Sequence, residues 1–176
     1  MSDYTSNSSC CFTGHRYIPA GLEPLLAERL QSGIDYLCDN TSISTYYVGG
    51  ALGFDTMAAE AVIRKRDRCS SVRLVLVIPC EDQALRWCTE DKEHYRQIKD
   101  AADEIVCLGK HYYRGCMHVR NRYLVDHSGI CLCYLTKQMG GTAYTVNYAR
   151  RKEVPVFNMA DEDFQLAALP KTIRNP

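Results

Sequence analysis

Short apolar runs alternate along this chain with longer stretches whose apolar residues recur at three and four residue steps, and that alternation limits the possible folds more than any other feature. Cys10-Cys11-Phe12 reads as a short apolar strand, after which Leu22, Leu25, Leu26, Leu30, Ile34 and Leu37 mark one face of a helix. Thr45-Tyr46-Tyr47-Val48 is a second strand, followed by an alanine-rich helix from Thr56 to about Arg66 that Asp55 is placed to cap. Val72 to Ile78 is almost continuously apolar, as a central parallel strand covered on both faces must be, and Pro79 ends it. The pattern then predicts a helix from about Gln83 to Ala102, a strand at Glu104 to Leu108, and a loop from Gly109 to Gly115. A helix from Cys116 to about His127 follows, terminated by Ser128-Gly129. Ile130 to Leu135 is another buried strand, Gly140-Gly141-Thr142 opens a helix to about Arg151, and Val154-Pro155-Val156-Phe157 is a last strand that its proline assigns to an edge.

Strands that alternate with helices of about ten or more residues call for right-handed βαβ crossovers. The expected fold is therefore α/β, a Rossmann-like three-layer sandwich with a mostly parallel central sheet and helices on both faces. A chain of 176 residues is long enough for one core. The expected division is a polar arm at 1–9, a single domain at 10–158 and a tail at 159–176. Met1 to Ser9 carries no apolar signal-peptide core, so the ten cysteines are expected as reduced thiols of a cytoplasmic protein. Their only close pairs are Cys10-Cys11 and Cys131-Leu132-Cys133, with no CxxC knuckle, so no metal is expected. On a strand, Cys131 and Cys133 share one face and serve as small core residues. No apolar stretch approaches the roughly 20 residues that span a bilayer, so no membrane partner is expected either.

Ligands of open parallel sheets bind outside the carboxyl ends of the strands. In this chain those segments are Thr13-Gly14-His15-Arg16, Gly49-Gly50-Ala51-Leu52-Gly53-Phe54-Asp55 and Thr136-Lys137-Gln138-Met139-Gly140-Gly141-Thr142. Glycines let the backbone approach a ligand, and a helix opening behind them offers unpaired N–H groups and the positive end of its dipole, which suits phosphate. Each feature also has a plain structural reading. A Gly-Gly pair can be only a tight turn, and His15 and Arg16 can be solvated loop residues. In the helix from Cys116, Met117, Leu124 and Val125 form the inner stripe, Asn121 lies on it and Arg120 beside it. Such polar groups either contact a ligand or are satisfied within the chain, Arg120 by Asp126 or Asp55 and Asn121 by loop carbonyls. Tyr112 and Tyr113, beside Lys110 and Arg114, can stack on a base or line a neighbouring subunit.

Thr13-Gly14-His15-Arg16, the segment from Gly49 to Asp55, Arg120-Asn121 and Gly140-Gly141-Thr142, in that order, resemble the YpsA-like branch of the SLOG superfamily. The resemblance spans nearly all of the patterned chain. It implies a ligand derived from a nucleotide, because the superfamily includes the "lonely guy" phosphoribohydrolases, DprA-like proteins and sensor domains for NAD-derived or ADP-ribose-like signals. The residues expected to bind the ligand are Thr13, Gly14, His15, Arg16, Gly49, Gly50, Ala51, Gly53, Asp55, Arg120, Asn121, Gly140, Gly141 and Thr142. Members resembling the phosphoribohydrolases carry a glutamate shortly after a Gly-Gly-x-Gly-Thr loop, whereas here Thr142-Ala143-Tyr144-Thr145-Val146-Asn147 offers no carboxylate.

Cleavage of a glycosidic bond needs an acid or nucleophile beside the leaving group. The reading is therefore a binder, sensing or sequestering an ADP-ribose or NAD derivative or a cyclic nucleotide, with no catalytic residue and no cofactor assigned. The alternative is an N-glycosidase or nucleotide hydrolase using Asp55 and His15. Lys plus Arg and Asp plus Glu both number 21, so no overall positive field is present and nucleic acid is not an expected partner. Tyr112, Tyr113, Tyr144 and Tyr148 exceed what one small pocket needs, which together with the resemblance predicts a homo-oligomer.

Overall fold

The computed structural model describes residues 8–170. Strands β1 (Ser9–Gly14), β2 (Thr45–Val48), β3 (Arg73–Ile78), β4 (Glu104–Cys107), β5 (Ile130–Tyr134) and β6 (Val156–Asn158) alternate with helices α1 (Glu23–Asn40), α2 (Phe54–Arg66), α3 (Thr89–Ala101), α4 (Cys116–Asp126) and α5 (Gly141–Arg151). All six strands form one parallel sheet in the order β4-β3-β2-β1-β5-β6, so the fold is the α/β, Rossmann-like sandwich expected. The last strand lies at an edge as expected, but it begins at Val156, after Pro155 rather than containing it.

The two-residue period of the strands sorts their side chains between two cores. Phe12, Tyr46, Leu74, Leu76 and Leu132 pack beneath α1, α2 and α3. Their neighbours Cys11, Val75, Val77, Cys131 and Cys133 pack beneath α4 and α5 with Leu124, Val125, Val146 and Ala149. Because right-handed crossovers reverse the covered face when the strand order reverses, the first three helices and the last two lie on opposite faces. The α1 stripe of Leu26, Leu30, Ile34 and Leu37 is fully or almost fully buried, worth about 1.5 to 3 kcal/mol for each side chain before entropy is set against it.

Four local expectations change. The strand at Cys10 begins at Ser9, which is buried. Helix α2 starts at Phe54 with Gly53 as its N-cap, so Asp55 lies inside the first turn and caps nothing; its carboxylate accepts from the Ala51 N–H at 3.1 Å. Helix α3 starts at Thr89 rather than Gln83, because the preceding segment is spent on i to i−3 turns, among them Leu85 N–H to Asp82 O and Trp87 N–H to Ala84 O, and Cys88 Sγ caps α3 by accepting from the Asp91 N–H. The segment after β6, expected as a tail, lies against α1: Met159 and Leu169 are buried, and Arg29 donates to the carbonyls of Met159 and Asp161 at 2.6 and 2.8 Å. Residues 1–7 of the expected arm and 171–176 of the expected tail lie outside the described residues. Among the described residues, no helix is long and apolar enough to cross a membrane.

Candidate functional site

Strand order reverses at β1, with β2, β3 and β4 on one side and β5 and β6 on the other. The loops leaving β1 and β5 therefore diverge and open a crevice between them, the place where doubly wound sheets bind ligands. A cavity of about 350 Å³ lies there. Thr13, Gly14, His15 and Arg16 line it from the end of β1, Ala51 and Asp55 from the β2 loop and α2, Met117, Arg120 and Asn121 from α4, and Gly141 and Thr142 from the first turn of α5.

Arg120 is the centre of this arrangement and is only 5% exposed. Its Nε donates to Asn121 Oδ1 at 2.8 Å, its Nη1 donates to the Gly49 carbonyl, and the same Nη1 is 3.7 Å from Asp55 Oδ2. Of the two partners the sequence left open, the pairing is with Asp55. The guanidinium can lie there because Gly49 has no side chain: a Cβ would overlap the Arg120 guanidinium. Among the described residues, Nη2 has only the Met117 sulfur at 4.0 Å, a weak acceptor. Burial pushes the Asp55 carboxyl above its usual range, opposed by Arg120, the Ala51 amide and Arg16. Burial likewise lowers the Arg120 pKa against the attraction of Asp55.

Three further features make the cavity electropositive. Arg16 is exposed on the rim and makes no hydrogen bond or ion pair among the described residues. Helix α5 begins at Gly141, so its first N–H groups have no partner within the helix and its dipole places positive charge at that end. The carboxylate count within the lining is one, Asp55, already shared with Arg120. His15 adds no charge: the Thr136 N–H donates to its Nε2 at 2.9 Å, and burial, with Lys137 second, lowers its pKa. That bond ties the β1 loop to the β5 loop across the crevice.

Of the fourteen residues assigned from sequence, the structure brings together the ten named above, and Gly49, Gly50, Gly53 and Gly140 do not line the cavity. Gly49 backs Arg120, and the Gly50 carbonyl accepts from Gln83 Nε2 at 2.9 Å, away from the crevice. Gly53, with φ of 76°, is pressed against the Arg16 backbone, where a Cβ would overlap, and Phe54 N–H donates to the His15 carbonyl at 3.2 Å. Gly140 supplies the turn into α5 at φ of 101°. Sequence reasoning missed Phe12 and Leu124 as walls of the cavity, since both read as ordinary core, and gave Met117 only a packing role although it stands one turn before Arg120. Tyr112 and Tyr113 remain 61% and 50% exposed in the loop after β4. Tyr144 and Tyr148, expected to face a partner, have in-chain bonds: Arg122 donates to the Tyr144 hydroxyl at 2.8 Å, and the Tyr148 hydroxyl donates to Asp126 at 2.9 Å.

A parallel sheet whose strand order reverses beside a polar, cation-lined cavity defines the class as a Rossmann-like α/β domain with its crevice at the strand-order reversal. The family model YpsA, described as the YspA SLOG family, matches residues 22–161, and the chain belongs to that family. Membership supports nucleotide-related binding. A UPF0398 protein of Halalkalibacterium halodurans is 25% identical over 143 residues, covering 80% of this chain and 71% of the relative. The uncharacterized SPbeta prophage-derived protein YoqJ of Bacillus subtilis is 26% identical, covering 72% of this chain and 81% of the relative. Among solved structures, DNA processing protein A from Helicobacter pylori superposes with a TM-score of 0.63 at 18% identity over 87% of this chain. This chain spans 65% of that protein.

That neighbour corrects one expectation. It was solved for its single-stranded DNA binding mode, so the fold is compatible with nucleic acid, and a balanced net charge does not exclude such a partner. Net charge averages over the whole surface, whereas a phosphate backbone meets only the local field, and Arg16, Arg120 and the α5 terminus make that field positive in the crevice.

Proposed function

We propose that this chain binds a nucleotide-derived small molecule by its phosphate in the β1/β5 crevice, as a sensor or sequestering protein rather than a hydrolase. The observation that carries this reading is the buried Arg120 guanidinium, which lines the cavity beside the start of α5 with Arg16 across its rim. A buried cation held by one carboxylate, with an Nη2 that meets no oxygen acceptor among the described residues, gains most from an added anion, and arginine binds phosphate as a planar fork. ADP-ribose, NAD fragments and cyclic nucleotides all carry such a phosphate.

Against hydrolysis, α5 presents no carboxylate in its first two turns, Asp55 is engaged by Arg120 and Ala51, and His15 Nε2 is occupied as an acceptor. Among the described residues of the cavity, no carboxyl group stands free of an in-chain partner to protonate a leaving base. A thermal-shift series with AMP, ADP-ribose, NAD, cyclic dinucleotides and a short single-stranded oligonucleotide tests the proposal, since a ligand at 100 times its dissociation constant adds about 2.7 kcal/mol. Stabilisation by a nucleotide without release of free base, followed by chromatography, is expected; base release at a catalytic rate overturns the non-catalytic reading. Cytoplasmic location and self-association belong to the same proposal, the second tested by light scattering against the 20.0 kDa of one chain.

A further inference from the structure

The phosphate cavity has a neighbour. A cleft of about 610 Å³ runs from it towards the loops after β3 and β4, and the two share Arg16 and Met117 as walls. Their linings differ in chemistry. Beyond Arg16 the cleft is walled by Trp87, Tyr112 and Leu85, with Asp82, Gln83 and Arg86 as its polar members.

We propose that this cleft is the base subsite, so that the ligand is a nucleoside phosphate whose aromatic base stacks at Trp87 and Tyr112 while its phosphate lies at Arg120 and the α5 terminus; the phosphate half of this statement rests on the function proposed above. Trp87 is half-buried and set against Tyr95, ring centroids 5.2 Å apart, which fixes one aromatic wall. Tyr112 is the other, 61% exposed, and its backbone is pinned to the facing segment by its N–H, which donates to Asp82 Oδ1 at 2.8 Å. Its neighbour His111 approaches the same carboxylate at 3.4 Å, so the loop after β4 is held beside the segment that carries Trp87. Arg86 is exposed and makes no hydrogen bond or ion pair among the described residues, leaving a second guanidinium available to cover a ring face. A pentose phosphate has no ring to stack on Trp87 or Tyr112, whereas an aromatic base does.

The cleft contains the chain's only tryptophan, which gives a direct readout. Tryptophan fluorescence and calorimetry are measured on the full chain with AMP, ribose 5-phosphate and adenosine. AMP and adenosine are expected to change Trp87 emission and ribose 5-phosphate to leave it unaltered, with AMP the tighter of the two phosphates. Tyr112→Ala, at an exposed position that leaves the core intact, should weaken AMP about five- to hundredfold and leave ribose 5-phosphate unchanged. Equal wild-type affinity for AMP and ribose 5-phosphate, or AMP affinity unmoved by Tyr112→Ala, overturns the base subsite while the phosphate site stands. Adenosine binding that depends on Tyr112, with no binding of ribose 5-phosphate, supports the base subsite and overturns the phosphate reading. Binding of none of the three overturns both.

Discussion

Gly141→Asp separates a ligand-binding role for the start of α5 from a purely structural one. Gly141 is the first residue of α5 and lines the cavity, and a Cβ built on it would have Asn121 Nδ2, at 3.9 Å, as its nearest neighbour. That is ordinary contact, so a Cβ fits without displacement. Its φ is not in the left-handed region, unlike that of Gly140, so no backbone strain is expected. Replacing glycine in the first turn removes part of its backbone entropy cost, and a carboxylate at a helix N-terminus adds about 0.3 to 1 kcal/mol. The variant should thus be as stable as the parent or more so, with a melting temperature raised by up to a few degrees. Binding should go the opposite way. A unit negative charge about 4 Å from a phosphate charge costs about 4 kcal/mol at an effective dielectric near 20, a loss of roughly a thousandfold in affinity. Calorimetry with AMP, paired with thermal denaturation of the same sample, reads both effects, and Gly141→Ala should keep affinity within about tenfold as the uncharged control. A folded Gly141→Asp protein that binds AMP like the parent would refute the reasoning and move the phosphate away from α5.

Arg16→Ala removes an exposed cation that makes no hydrogen bond or ion pair among the described residues, so the melting temperature should hold while AMP affinity falls about tenfold to a hundredfold, the loss of one charge-assisted bond, measured by calorimetry. Gly49→Ala places a Cβ on the Arg120 guanidinium; urea denaturation should show a loss of about 1 to 3 kcal/mol, and binding should fall with the displaced arginine. Burial raises the Asp55 carboxyl in the folded chain, so the folded state keeps its proton to a higher pH than the unfolded chain does. That stability is fully present below the unfolded value near 3.9 and is lost as pH rises through the folded value. Urea midpoints of the parent relative to Asp55→Asn should therefore fall with rising pH across the acid range; a difference between the two that does not change with pH would refute the assignment to Asp55. Hydrogen bonds from Ser71 and Cys38 lower the Cys69 thiol, whereas burial first, and then its bond to Cys69, push Cys38 up to about 11, so native alkylation at pH 7.5 followed by peptide mapping should label Cys69 well before Cys38.

The alternation of apolar runs, the two-residue period that sends Cys11, Cys131 and Cys133 to one core and Phe12 and Leu132 to the other, and the glycine loops that open α2 and α5 are all local signals, and they determined the fold class from sequence alone. Arg120 and Asn121 were legible as polar residues on or beside an apolar stripe for the same reason: helical period needs only the residues of one turn. Strand order is not local. Only the tertiary structure set β1 between β2 and β5, which brings Arg16 to Gly141, pairs Arg120 with Asp55 rather than with Asp126 of its own helix, and turns Gly50 away towards Gln83. The segment before α3 shows the same non-locality, since the Gln83 side chain finds its partner in the β2 loop. Contacts between segments far apart in the chain are selected by the packing of whole elements, and no window of sequence contains them.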